Sequence, residues 1–205
     1  MNAGRGRQYA KENKQPEKNK GLHAKRWAFL RRTPSFLNWF EAPKILKIIK
    51  PYIKEGHVIA DIGCGWGYYT FLLADLVGSL GKVYSVDLGE KCIQSIQKKA
   101  IRLGNKNIEG KVTTAADLGF IDDKSVDFVF ANGLLCSMEN DRGLAVGEII
   151  RILKPKGIAY ISLGAKPPFG LVDETEWSEM LSKFNIEQGG IYNDLWVVVS
   201  SPIQP

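Results

Sequence analysis

Residues Val58 to Thr70 read V-I-A-D-I-G-C-G-W-G-Y-Y-T, a carboxylate near the end of a short apolar run followed by three glycines spaced by two. Gly63, Gly65 and Gly67 let the backbone turn tightly and approach a ligand with no Cβ in the way. Asp61 supplies a negative charge able to hold an ammonium group, and amides at the start of the next helix suit a carboxylate. The ligand this suggests is zwitterionic, with its amine toward Asp61. A dinucleotide fingerprint, Gly-x-Gly-x-x-Gly, would put its third glycine at Tyr68, and that bulk argues against dehydrogenase-type packing. Twenty positions after Gly67 stands Asp87, where a carboxylate can accept two hydrogen bonds from the vicinal hydroxyls of a ribose. Leu88 would then lie against an adenine face.

These residues need elements to hold them, and the chain alternates strand and helix patterns after residue 43. Val58 to Ile62 reads as a buried parallel strand, because such strands are covered on both faces and need no alternation. Thr70 to Val77 is the helix that covers it, Lys82 to Val86 the second strand, and Glu90 to Leu103 the next helix, with Ile93, Ile96, Ala100 and Leu103 at helical spacing. A short third strand lies around Gly110 to Thr114, and Ser125 to Ala131 is the fourth. Leu144 to Leu153 predicts a helix and Ile158 to Leu163 a fifth strand. Glu174 to Phe184 closes the helices, and Ile186 to Tyr192 with Leu195 to Ser200 reads as a hairpin. Upstream, Pro43 to Tyr52 is predicted as an amphipathic helix with Pro43 in its first turn. His57 reads as a boundary residue before the first strand.

On the motif Asp61-x-Gly63-x-Gly65-x-Gly67, the following Asp87, and the string R-I-L-K-P-K-G-I-A-Y-I at 151–161, the sequence resembles the class I S-adenosylmethionine-dependent methyltransferases, in particular their small-molecule members. The resemblance runs from Ile45 to the C-terminus. It implies a Rossmann-like α/β fold: a seven-stranded, mostly parallel sheet in the order 3-2-1-4-5-7-6, the last strand antiparallel, with helices on both faces. It also implies S-adenosylmethionine as cofactor. Contacts are then expected along the first turn from Cys64 and Tyr68 as well as the glycines, and from Ala116, Asp117 and Leu118 after the third strand, where Asp117 matches the position that accepts a hydrogen bond from the adenine amino group. Asn132 and Gly133 follow the fourth strand, beside the switch point of the sheet, and should face the methionine portion and the methyl group. Many relatives carry histidines where Cys136 and Ser137 stand, which removes the easiest general base.

At 205 residues, 44% hydrophobic and 24% charged, the chain fits one domain with a full core. The net charge of +6 is uneven: residues 1 to 32 hold ten Lys or Arg against two Glu, whereas residues 33 to 205 hold eighteen against twenty acids. We read residues 1–22 as a basic, disordered tail, 23–42 as an aromatic segment that by the family analogy serves as a lid, and 43–205 as the methyltransferase domain. Three cysteines far apart in sequence, with no Cys-x-x-Cys pair, point to a reduced, cytoplasmic protein. The longest apolar region carries Asp61 and Asp75 and makes a poor membrane span. No spacing suggests a metal site.

Methyl transfer from a sulfonium needs an in-line acceptor and exclusion of water, so a catalytic residue in the strict sense is not required. His23, Tyr68 and Cys136 are the weak candidates, Cys136 through a thiol that could hold a soft acceptor such as a metalloid. The expected activity is methyl transfer to a small-molecule or lipid-like acceptor. Alternatives are an RNA or protein methyltransferase that uses the basic tail, and a nucleotide-binding protein without methyl transfer.

Overall fold

A computed structural model describes residues 36–138, 140–163, 172–191 and 195–202, with side chains from residue 42 onward. The chain divides into two units, Met1–Asn38 and Trp39–Pro205. His23, the tail and most of the aromatic segment lie outside the described residues, as do residues 164–171 and Tyr192.

Among the described residues, five α-helices and seven strands follow one another as the hydrophobic periods require. The helices are α1 (Phe36–Ile49), α2 (Tyr68–Val77), α3 (Glu90–Leu103), α4 (Arg142–Ile152) and α5 (Glu174–Leu181). The strands are β1 (Val58–Ile62), β2 (Lys82–Asp87), β3 (Ile108–Val112), β4 (Val126–Ala131), β5 (Leu153–Ser162), β6 (Asn185–Ile191) and β7 (Leu195–Ser200). They form one sheet ordered β3-β2-β1-β4-β5-β7-β6. Strands β1 to β5 pair in parallel, and β7 runs antiparallel to both β5 and β6. The expected seven-stranded order and antiparallel last strand are therefore present.

Alternate residues of the central strands feed two different cores, which is why those strands read as continuous apolar runs. Phe128 and Phe130 of β4 point with Ile59, Val83, Tyr160 and Val198 toward α1 and α2. Val129 and Ala131 point with Ala60, Ile62, Ile161 and Val199 toward α4 and α5. Each fully buried aromatic or branched side chain contributes roughly 1.5–3 kcal/mol. Ile93, Ile96 and Ala100 of α3 form a smaller third cluster with Phe71 of α2.

Several boundaries shift by one to three residues, and two differ by more. α1 is already helical at Phe36, seven residues before Pro43, and Pro43 lies inside it. An internal proline removes one backbone hydrogen bond and crowds the carbonyl one turn earlier, and the buried stripe Ala42, Ile45 and Ile49 holds the helix against the core across that defect. β5 starts at Leu153, directly after α4, rather than at Ile158. Leu153 pairs with Val126 and Ile158 with Phe128, so Lys154 to Gly157 form a bulge between them.

Chain progression reverses between β1 and β4, which are hydrogen-bonded neighbours. Ligands of such sheets bind at the carboxyl ends of the strands at that reversal. His57, by contrast, stands at the opposite end of β1, where its Nδ1 accepts from the Lys54 amide at 3.3 Å.

Candidate active site

The turn after β1 hangs from the end of β2. The Gly63 and Cys64 amides both donate to the Val86 carbonyl, at 2.8 and 3.0 Å. Gly63, Gly65 and Gly67 take φ of 77, 54 and 80°, a region side-chain-bearing residues disfavour. The glycines nevertheless differ in what surrounds them. A Cβ on Gly67 would lie 2.5 Å from Ile96 of α3, and one on Gly63 would lie 3.0 Å from Leu134 in the loop after β4. Around Gly65 nothing lies within 4 Å. Gly67 lets α3 pack onto the turn, and Gly65 leaves its backbone open to a ligand.

Asp61 sits beneath this turn and is only 2% exposed. Its Oδ2 accepts from the Thr70 hydroxyl at 2.6 Å, and Thr70 Oγ1 in turn accepts from Ser85 at 3.4 Å. Burial pushes the Asp61 carboxyl up to about 7, against the opposing Thr70 hydrogen bond and with a further rise from Asp87. No cation pairs with it among the described salt bridges. A buried carboxyl without a countercharge fits a cationic ligand, because the ligand would supply the charge that favours ionisation.

Asp87 ends β2 and ties two loops together. Its Oδ2 accepts from the Gly65 amide at 2.8 Å and its Oδ1 from the Gly89 amide at 2.7 Å. Each carboxylate oxygen keeps a second acceptor direction, so the ribose role remains open to it. Leu88 next to it is 73% exposed, and Trp66 in the glycine turn is 46% exposed. Two large, partly exposed apolar side chains therefore lie on neighbouring loops, suited to a flat heteroaromatic base. Trp66 had no assigned role in the sequence reading.

The loop after β3 joins this edge through the Thr113 amide, which donates to the Asp87 carbonyl at 3.2 Å. Asp117 lies five residues past β3, exposed, with its carboxylate beside the Gly119 amide at 3.5 Å. Ala116 is half-buried and its amide donates to Thr114. The Leu118 side chain is fully buried in the core under α4. Its amide donates to Glu148 at 2.7 Å and its carbonyl accepts from Arg151 at 2.9 Å. Glu148, held below its ordinary range by the hydrogen bond from Arg151, anchors this loop.

After β4, Gly133 takes a φ of 65° and Asn132 turns toward β5. The Ser162 hydroxyl donates to Asn132 Oδ1 at 2.9 Å and accepts from the Gly133 amide at 3.0 Å. Cys136 lies in a 3-10 turn, Leu135–Ser137, is 3% exposed, and points its thiol at the Gly133 carbonyl 3.3 Å away. That burial argues against a soft-acceptor role. Arg142 braces the same turn from Nε to the Leu135 carbonyl at 2.9 Å and reaches Glu176 of α5. Cys64 is unsuited as a nucleophile, since burial and the charges of Asp61 and Asp87 push its thiol far up. Tyr68 opens α2 with its ring edge-on to Tyr69. Among the described residues no three His, Cys, Asp or Glu side chains gather as a metal site, and no helix is long and apolar enough to cross a membrane.

Thus Asp61, the glycines, Asp87, Leu88, Asp117 and Asn132 share one edge of the sheet, and Leu118 does not face it. Sequence reasoning missed Thr70, Ser85, Glu148 and Ser162, whose polar side chains lie behind that edge and position it.

Comparison with known proteins agrees with this architecture. A family model described as a methyltransferase domain matches residues 53–188. A probable cobalt-precorrin-6B C(15)-methyltransferase (decarboxylating) of Saccharolobus solfataricus is 36% identical over 95 residues, 45% of this chain and 47% of that protein. A ubiquinone/menaquinone biosynthesis C-methyltransferase of Saccharophagus degradans is 31% identical over 126 residues, 60% of this chain and 49% of that protein. The chain spans about half the length of these curated relatives or less. The crystal structure of a SAM-dependent methyltransferase from Aquifex aeolicus superimposes with a TM-score of 0.65 at 25% identity, covering 77% of this chain and 88% of that one. With the matched family model covering well over half its residues, the chain belongs to the class I S-adenosylmethionine-dependent methyltransferases.

Proposed function

We propose that this protein binds S-adenosylmethionine at the carboxyl ends of β1, β2 and β4 and transfers its methyl group to a small-molecule or lipid-like acceptor. The observation that carries the reading is the buried Asp61 carboxyl beneath an open glycine turn, a pairing that favours a cationic, backbone-hugging ligand. When bound, the cofactor supplies a methyl group already activated by a sulfonium. The chain's own part is binding and orientation. Asp61 meets the amine, Asp87 the ribose hydroxyls, Asp117 the adenine amino group, and Trp66 and Leu88 flank the base. Asn132 and Gly133, pinned by Ser162, set the wall of the methyl path, where position and exclusion of water lower the barrier.

The names of the two curated relatives, which concern cobalt-precorrin and ubiquinone/menaquinone biosynthesis, support a small organic acceptor. Cytoplasmic placement belongs to the same proposal and rests on the cysteine spacing. Incubating the full chain with labelled S-adenosylmethionine and cell extract, then separating solvent-soluble, RNA and protein fractions, tests it. Label in the solvent-soluble fraction is expected, and it persists when residues 1–22 are deleted. Label in RNA or protein that vanishes with that deletion would establish the alternative, and binding of NAD without S-adenosylmethionine would end both.

A further inference from the structure

The two edges of the sheet are finished differently. At one edge β6 carries a bulge between Ile186 and Gln188, a distortion that spoils an outer edge for further pairing. At the other edge β3 holds unbroken register with β2 from Ile108 to Val112, and among the described residues no strand pairs with its outer side. The Val83 amide donates to the Asn107 carbonyl at 2.7 Å, and the Thr113 amide donates to the Asp87 carbonyl at 3.2 Å. Residues 107, 109, 111 and 113 therefore turn their backbone groups toward β2, and Ile108, Gly110 and Val112 turn theirs outward. The Gly110 carbonyl takes a long contact from the Gln97 side chain there, at 3.4 Å.

The order of residues in β3, I-E-G-K-V, is self-complementary about Gly110. Laid antiparallel on a second copy with the two Gly110 residues opposed, Ile108 meets Val112 and Glu109 meets Lys111. The outward-facing residues then form the hydrogen-bonded pairs, and Glu109 with Lys111 forms the non-hydrogen-bonded pairs, whose side chains stand closer. Both charged side chains are exposed and lie on one face of the strand by alternation. On that face Glu109 Oε2 pairs with Lys82 at 2.8 Å, and Lys111 Nζ lies 5.6 Å from the centre of the Phe120 ring. The two nearest registers with the same hydrogen-bonding pattern would oppose Lys111 to Lys111 or Glu109 to Glu109, and like charges directly opposite are destabilising. On the other face a Cβ at Gly110 would lie 2.9 Å from Ile93, so α3 packs directly over the centre of the strand. Ile101 stands one turn past Gln97 on that helix and is 81% exposed, which leaves apolar surface for the α3 of the other copy.

We propose that β3 pairs antiparallel with β3 of a second copy about a two-fold axis at Gly110, joining the two sheets edge to edge. The contact is isologous, so each charge pair occurs twice and the assembly closes as a dimer. It stands whether or not the cofactor assignment holds.

Sedimentation velocity of the full chain over a concentration series tests this in wild type, K111E, E109K, an equimolar mixture of those two variants, and V112P. The wild type is expected to be a dimer that dissociates on dilution. K111E opposes carboxylate to carboxylate at both positions and E109K amine to amine, so each should self-associate about tenfold more weakly or worse. K111E leaves the pair between Lys82 and Glu109 in place, so its loss of dimer would not come from that contact. Mixing K111E with E109K restores opposite charges at both positions, and association should return to within about threefold of wild type. V112P removes an outward N–H that β2 does not use, so it should keep the circular dichroism of the wild type and lose the dimer. A wild type that stays monomeric up to about 100 μM overturns the proposal. So does a dimer of unchanged strength in K111E or V112P, and so does a mixture that associates no better than its two components.

Discussion

The loops after β1 and β2 and the loop after β4 line the same edge of the sheet but are built by different means. The first pair is shaped by backbone: three left-handed glycines, two amides on one carbonyl, and one carboxylate holding the Gly65 and Gly89 amides. The β4 loop is shaped by side chains, with Ser162 reaching Asn132 and Gly133 from about 30 positions along the chain, and Arg142 tying Leu135 to Glu176. Backbone geometry leaves its mark in the order of neighbouring residues. Side-chain bracing across 30 or so positions leaves almost none.

Substitution at Gly67 tests the backbone half most severely. Gly67→Val places a Cβ where Ile96 Cγ1 would be 2.5 Å away and forces a branched residue to a φ of 80°. We expect a cost of about 3 kcal/mol or more and a Tm lowered by about 10 °C, read by thermal denaturation. Gly65→Ala meets nothing within 4 Å and should cost only about 1 kcal/mol, from strained φ alone. Equal losses at the two glycines would contradict the division between a packing glycine and an open one.

Asp61→Asn follows in size. Because the Asp61 carboxyl is raised from 3.8 to about 7, the folded ligand-free protein holds a proton that the unfolded chain has released between those values. Stability from this group is present below about pH 4 and is lost as pH climbs through 7. The variant should therefore be more stable than wild type at pH 8, by an order-of-magnitude 2–4 kcal/mol, with the gap closing toward pH 4. Chemical denaturation across that range measures it.

The side-chain half calls for a different signature. Ser162→Ala frees Asn132 and leaves the Gly133 amide with only its contact to the Ser162 carbonyl, at 3.2 Å. Stability should fall by about 1 kcal/mol. Affinity for S-adenosylmethionine should stay within about threefold while turnover falls about tenfold, since orientation rather than binding is lost. Leu88→Ala should have the smallest effect, about threefold in cofactor affinity with turnover unchanged, because it removes one apolar contact to the base.

The sequence made most of the fold legible. Apolar runs bounded by glycine and proline marked the strands, and the family resemblance supplied the strand order, including the inverted last strand. α1 was misplaced because proline is usually a helix start, and here tertiary burial of Ala42, Ile45 and Ile49 overrides that preference. The early start of β5 was hidden by Lys154 to Gly157, whose polar, turn-like composition disguises a bulge. The positions of Asp61 and Asp87 at the carboxyl ends of β1 and β2 were readable from spacing. Leu118 was not, since whether a residue beside Asp117 faces outward or into the core is set by Glu148 and Arg151, thirty or more positions away.

The central claim is that Asp61 is the counter-charge for a cationic part of the cofactor. Calorimetric titration of the full chain with S-adenosylmethionine at pH 7, in two buffers of different ionisation enthalpy, counts the protons exchanged on binding. With its carboxyl near half-protonated in the free protein, binding should release roughly half a proton, and Asp61→Asn should bind more weakly by about tenfold or more and release none. Equal affinity in the two proteins with no proton released from either would contradict the account.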